Sequence, residues 1–220
     1  LLAGFDEGAW WVQDASAALP VALLGNIKGK HIIDLCAAPG GKTAQLTSRG
    51  ATVIAVERSA KRLKRLEENL SRLKMTAETF CCDATQWTPF KKADAVLLDA
   101  PCSSTGAIRR HPDIPHLKKS EDIEKLSNAQ YCLIEAALEM VKPGGRVVFC
   151  TCSLQPEEGP ELIKKILDAH SSFRLEPVKP EEIGGLEEII VGDGTIRCLP
   201  YHLPEQGGMD GFFIARLISD

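Results

Sequence analysis

The sequence predicts an α/β fold: a mostly parallel sheet with helices on both faces. Short β-branched or apolar runs alternate with stretches of helical periodicity, the order that crossover-connected parallel strands produce. With 220 residues, 44% of them hydrophobic, the chain can build one substantial core. No internal repeat, low-complexity tract or linker divides it, so residues 1–220 are expected to form a single domain.

The first strand is "HIIDLC" (31–36), followed by a Gly-rich turn and a short helix over 43–49. The second is "ATVIAVE" (51–57). After it, Leu63, Leu66, Leu70 and Leu73 recur at helical spacing with charges between them, which predicts an amphipathic helix lying on the core. "ETFCCD" (78–83) and "DAVLLDA" (94–100) supply the third and fourth strands. A polar loop of about 20 residues follows, then a helix over 122–140 that stops at "KPGG", a turn into the fifth strand "RVVFCTC" (146–152). A helix over 156–169, a strand over 173–178 and "GFFIARLI" (211–218) complete seven strands. Residues 179–210, rich in Gly and Pro, read largely as loop.

Composition excludes several classes of protein. No run of 18 or more apolar residues predicts a membrane span, and no basic segment followed by an apolar stretch opens the chain as a secretory signal. The start without Met is read as the start of a fragment. Several of the eight cysteines lie inside apolar runs ("TFCCD", "VVFCTCS"), which favours reduced thiols in a cytoplasmic protein over a disulfide framework. Cys81, Cys132 and Cys150 are taken as buried small hydrophobes. A net charge of −4 argues against a general coat for polyanions, although basic residues cluster at 61–65 and 109–119.

The stretch "DLCAAPGGKT" ends in the Gly-Lys-Thr of a P-loop, but the first glycine of that motif falls on Cys36. Gly-x-Gly-x-x-Gly is absent too, which disfavours a dinucleotide. In an open α/β sheet ligands bind beyond the carboxyl ends of the strands. Here those ends carry Cys36, Glu57, Asp83, Asp99-Ala100-Pro101-Cys102 and Thr151-Cys152-Ser153. Glu57, about twenty residues after the Gly-rich turn, suits a ribose diol. Three neighbouring acids would repel a triphosphate but accept S-adenosylmethionine, and Lys42 either balances their charge or meets a ligand carboxylate.

Cys102 and Cys152 each stand just past an apolar strand, where a thiolate reaches solvent and substrate. Two such thiols beside a methyl-donor site suggest methylation at C5 of a pyrimidine. That carbon becomes nucleophilic only after a thiolate adds at C6. Asp99 is the candidate to stabilise charge near N3, and one cysteine attacks while the other assists release.

"GAWWVQDASAALP", "DLCAAPGGKT", "DAPCSSTG", "HPDI", "TCSLQPEEG" and "DGFFIARL", in that order, resemble the Sun (RsmB-type) family of S-adenosylmethionine-dependent RNA cytosine-5 methyltransferases. The bacterial 16S ribosomal RNA enzymes are the nearest match. The resemblance implies a Rossmann-like class I methyltransferase fold and RNA, above all 16S ribosomal RNA, as partner; transfer RNA or another RNA is the alternative. It implies Cys152 as nucleophile and Cys102 as the residue assisting release. DNA cytosine-5 enzymes instead attack from a Pro-Cys motif on the fourth strand. It also places Cys36, Ala37, Ala38, Pro39, Gly40, Gly41 and Lys42, with Glu57, Asp83 and Asp99, around the cofactor. Many relatives have Asp where this chain has Glu57. Many also carry an N-terminal RNA-binding domain, which is expected to be missing here.

The loop "STGAIRRHPDIPHLKKS" then acquires a role: Arg109, Arg110, His111, Lys118 and Lys119 would grip phosphates around a cytosine turned out of its stack. Three rivals are weaker. A non-catalytic RNA-binding module would not need Cys102, Cys152 and Asp99. An adenine amino-methyltransferase would carry Asn/Asp-Pro-Pro-Tyr/Phe where this chain has Asp99-Ala100-Pro101-Cys102. A metal enzyme would want Cys-x-x-Cys, whereas Cys81-Cys82 sits in a strand pattern, so no metal is expected.

Overall fold

The structure is a computed structural model describing residues 2–220. Strands β1 (His31–Leu35), β2 (Thr52–Glu57), β3 (Glu78–Cys81), β4 (Ala93–Asp99), β5 (Val141–Thr151), β6 (Phe173–Leu175), β7 (Ile196–Cys198) and β8 (Phe212–Ser219) form one sheet in the order β3-β2-β1-β4-β5-β8-β6. The first five pair in parallel, and β8 runs antiparallel to β5. Short β7 pairs with the part of β8 that β6 leaves free, on the same edge. The sheet is therefore seven positions wide but contains eight strands. The extra one lies in a stretch expected to be loop.

Side chains alternate between the two faces of each central strand. Ile33, Leu98 and Phe149 face α5 (Ser120–Met140) and α6 (Pro160–Ala169), in a core with Ile134, Ala137, Ile163 and Ile166. Ile32, Leu97 and Val148 face the other way, toward Val21 of α1 (Ala15–Ala22) and Leu46 of α2 (Gly41–Ser48). The leucine stripe behaves as its spacing predicts: Leu63, Leu66 and Leu70 are the buried residues of α3 (Ala60–Arg72). Each such leucine contributes about 1.5–3 kcal/mol through the area removed from water.

Two expectations need correction, and one helix was not anticipated. The strand expected over 173–178 ends at Leu175, because Pro177 cannot donate to a ladder and Glu176 turns to Arg146 and Arg216. Cys81 is exposed because β3 is the edge of the sheet, and Cys132 is exposed because it lies on α5 opposite Leu133, Ile134 and Ala137; of these three, Cys150 alone is buried. Helix α1, capped by the Asp14 side chain on the Ser16 N–H, is an addition. Among the described residues no helix is long and apolar enough to cross a membrane.

The loops leaving β4 and β5 are sewn together by backbone. The Gly106 N–H donates to Cys152 O at 2.9 Å, and the Gly211 N–H donates to Gly106 O at 2.9 Å. A Cβ at Gly106 would stand 2.0 Å from Gly211 O, a contact that only backbone movement relieves. Gly106→Ala should therefore lose about 2 kcal/mol or more in urea unfolding, whereas Gly192→Ala, with open space around it, should change little. Equal stabilities of the two variants would contradict this packing.

Candidate functional site

The Gly-rich turn begins where β1 ends. Cys36 takes a left-handed conformation (φ 58), the Ala37 N–H donates to Val56 O at 3.1 Å, and the Ala38–Pro39 peptide is cis. Gly40, at φ 100, caps α2, and a Cβ there would meet Leu66 Cγ at 3.0 Å. The glycine is required both by its backbone angle and by the close approach of α3.

Four acids gather at this edge, one more than expected. Asp34 is wholly buried on β1 and accepts from the Thr43 hydroxyl at 2.6 Å. Burial raises its carboxyl from the ordinary 3.8 to about 7. The Asp99 carboxylate takes the Lys42 ammonium at 2.8 Å. Burial alone would favour the neutral amine, but Asp99 keeps Lys42 firmly protonated. The ammonium also lies 5.1 Å over the Phe212 ring. Glu57, almost fully buried, accepts from the Ser59 N–H at 2.9 Å and stands 3.4 Å from the Arg62 guanidinium. Asp83 is more open, held below the usual carboxylate range by hydrogen bonds from the Thr85 hydroxyl and N–H.

Cys36 lies among these groups. Burial first, then the fields of Asp99, Glu57 and Asp34, push its thiol to about 12, so it stays neutral. Glu57 Oε2 and Asp34 Oδ1 are buried without a hydrogen-bond partner. The Glu57 oxygen faces only the Arg62 guanidinium, at 3.4 Å, and can accept from ligand hydroxyls such as the ribose diol of S-adenosylmethionine. The residues present fit that group.

The second half of the site is the thiol pair. Cys102, after β4, and Cys152, after β5, bring their sulfurs to 3.4 Å. The hydrogen bond between them separates their behaviour: with Cys102 as donor, the Cys152 thiol is lowered and the Cys102 thiol is raised. The Ser104 hydroxyl and the Lys42 charge act on Cys152 in the same direction. A thiol lowered in this way exists more readily as thiolate, and its raised partner keeps its proton.

Both cysteine turns rest on a residue the sequence reading passed over, Glu158. Its buried side chain accepts from the Ser103 N–H at 2.9 Å, from the Ser103 hydroxyl, and from the Ser153 hydroxyl at 2.6 Å. An acid just after Pro156 reads in sequence as an ordinary first-turn residue of a helix. Asp34 left a clearer signal, an acid inside the apolar run "HIIDLC".

The basic loop is divided. Arg110 pairs with the buried carboxylate of Asp210 at 2.5 Å, and the Asp210 N–H donates to Asp14, the cap of α1. Arg110 thus ties the loop to the body. Arg109, His111, Lys118 and Lys119 are exposed beside it. A cavity of about 560 Å³ opens elsewhere, at the amino ends of the strands, between His31, Thr52, Glu78 and Trp87. The perturbed groups and the thiol pair lie at the opposite edge, which is the candidate site on chemical grounds.

Comparison with known proteins identifies the family. Residues 21–218 match the family described as 16S rRNA methyltransferase RsmB/F. The chain is 41% identical over 221 residues to ribosomal RNA small subunit methyltransferase B of Vibrio cholerae, covering 98% of this chain and 48% of that protein. The same-named protein of Serratia proteamaculans is 43% identical over 223 residues, covering 99% and 49%. The chain thus spans about half the length of the curated relatives it matches. Among solved structures, NSun6 from Pyrococcus horikoshii with SFG superposes with a TM-score of 0.83 at 29% identity, covering 99% of this chain and 55% of that one. Magnesium protoporphyrin IX methyltransferase from Synechocystis, at 15% identity and a TM-score of 0.58, shares the fold.

Asp34 gives the site a pH signature. The unfolded chain releases this proton near 3.8 and the folded chain only near about 7, so stability falls as pH rises across that window and levels off above it. Asp34→Asn should flatten the fall, by up to about 4 kcal/mol between the two ends, in urea titrations at a series of pH values. Parallel stability curves for the two proteins would contradict the assignment.

Proposed function

We propose that this chain, which belongs to the 16S rRNA methyltransferase RsmB/F family, transfers a methyl group from S-adenosylmethionine to C5 of a cytosine in RNA, with 16S ribosomal RNA as substrate. The observation that carries the reading is the pair of thiols 3.4 Å apart at the strand edge that also holds the buried carboxylate of Glu57. A non-catalytic RNA-binding module has no use for a cysteine with a lowered thiol beside a second one with a raised thiol.

S-adenosylmethionine, when bound, supplies an electrophilic methyl group on a sulfonium. The turn from Cys36 to Lys42, with Glu57, Asp83 and Asp99, would hold it. Glu57 takes the ribose diol, and the ionised acids favour a cationic ligand over a phosphate. Lys42, engaged with Asp99, balances charge at this edge instead of meeting a ligand carboxylate.

On the substrate side, Cys152 adds as thiolate to C6 of the base, forming a C–S bond and making C5 enamine-like, the state in which that carbon accepts a methyl group. Asp99 is the carboxyl assigned to N3; to stabilise the charge that builds there as C6 is attacked it would act as the protonated acid, donating to N3 with its ion pair to Lys42 opened. A base then takes the C5 proton, the C5–H electron pair re-forms the C5=C6 double bond, and the C6–S bond breaks to return Cys152 as thiolate. Cys102, 3.4 Å from that sulfur and less acidic than it, is placed to assist this release. Arg109, His111, Lys118 and Lys119 would contact phosphates around the flipped base, with Arg110 bracing the loop through Asp210. Eight free thiols suit a reducing compartment, and the cytoplasm is where we place the reaction.

The test uses methyl-labelled S-adenosylmethionine and unmodified 16S ribosomal RNA. Wild type should give 5-methylcytosine, Cys152→Ala should lose about a thousandfold in rate, and Glu57→Ala should weaken cofactor binding about tenfold. Label on an exocyclic amine, or undiminished transfer by Cys152→Ala, would overturn the reading.

A further inference from the structure

The residues that follow the two cysteines converge on one side chain. Ser103, which follows Cys102, donates its N–H and its hydroxyl to Glu158; Ser153, which follows Cys152, donates its hydroxyl to the same carboxylate. The residues before the cysteines are held as well. Gln130 Nε2 donates both to Pro101 O and to Glu158 Oε1 at 2.9 Å, and the Thr151 hydroxyl donates to Glu158 O at 3.2 Å. Glu158 itself has no exposed surface and so touches neither solvent nor substrate. A carboxylate is acceptor-only and can collect four donors at once, which no neutral side chain of its size does.

We propose that Glu158 is a positioning residue for the two-thiol centre: its buried carboxylate fastens the Cys102 turn to the Cys152 turn and thereby sets the separation across which one thiol donates to the other. The inference deepens the methyltransferase reading, because it explains how a nucleophile and its partner on two different strands keep a fixed 3.4 Å spacing. The sign of the effect separates positioning from plain electrostatics. Removing a negative charge near a thiol makes that thiol more acidic, whereas removing its hydrogen-bond donor makes it less acidic.

The experiment is the pH dependence of iodoacetamide alkylation at Cys152, followed by mass on the peptide that contains it, without RNA or cofactor. It reads the thiol alone, so it stands or fails separately from methyl transfer. In wild type Cys152 should react with a midpoint below that of an ordinary thiol. Glu158→Gln should raise the midpoint, and one pH unit of rise slows alkylation at neutral pH by about tenfold. Cys102→Ala should raise it likewise, and the double variant should show no further rise, because both changes remove the same hydrogen bond. Ser103→Ala, which removes one arm of the clamp and keeps the backbone donor, should raise it part of the way and serves if Glu158→Gln fails to fold. Ser127→Ala removes a bond to the neighbouring Glu157 carbonyl and should leave the midpoint in place. A midpoint in Glu158→Gln that stays put, falls, or adds to the effect of Cys102→Ala would overturn the proposal, as would an equal rise in Ser127→Ala.

Discussion

In-register parallel pairing of β2, β1, β4 and β5 is the constraint on which the site depends. Leu35 lies beside both Val56 and Leu98, and Asp99 lies beside Cys150, so the chain leaves all four strands at one level. Glu57, Cys36, Asp99 and Cys152 therefore meet although they are spread over more than half the sequence. No single motif contains the site. Each strand contributes one or two residues at or just past its last ladder position, and the two-faced core behind them keeps those ends level.

Charge at that edge is balanced unevenly, which selects the kind of ligand it accepts. The Lys42–Asp99 pair is internally neutral, and burial keeps Asp34 largely protonated up to about 7. Glu57 has one buried oxygen whose only partner is the Arg62 guanidinium, 3.4 Å away. A phosphate would add negative charge to this set, whereas a sulfonium with an amino group and a diol supplies what is lacking. A few ångströms away the problem is different, because there a thiolate must exist without being buried as a bare charge. The donor thiol of Cys102 and the nearby Lys42 supply that compensation.

Much of this was legible in the sequence because it is local or periodic. The leucine spacing of α3, the apolar runs of the central strands and the functional residues at their ends follow from geometry that a period of two or 3.6 imposes. What escaped was set by tertiary contact. Strand β7 has three residues in a Gly- and Pro-rich stretch and exists because β6 leaves part of β8 unpaired. Cys81 and Cys132 carry the apolar pattern of their neighbours but face outward from an edge strand and the far side of a helix. Arg110 reads as one of several loop cations until Asp210, a hundred residues away, is seen to hold it. Glu158 has the sequence signature of a helix start, and only the convergence of Ser103, Ser153 and Gln130 shows its place under the thiols.

The central claim is that the two thiols divide the work, with Cys152 bonding to the base and Cys102 letting it go. The most direct measurement mixes wild type, Cys102→Ala and Cys152→Ala with S-adenosylmethionine and unmodified 16S ribosomal RNA and separates the products on a denaturing gel. Cys102→Ala should accumulate a covalent protein–RNA species, and Cys152→Ala should form none. The reverse pattern would assign attack to the residue after β4, and the absence of any adduct from protein shown to bind the RNA would contradict the covalent mechanism itself.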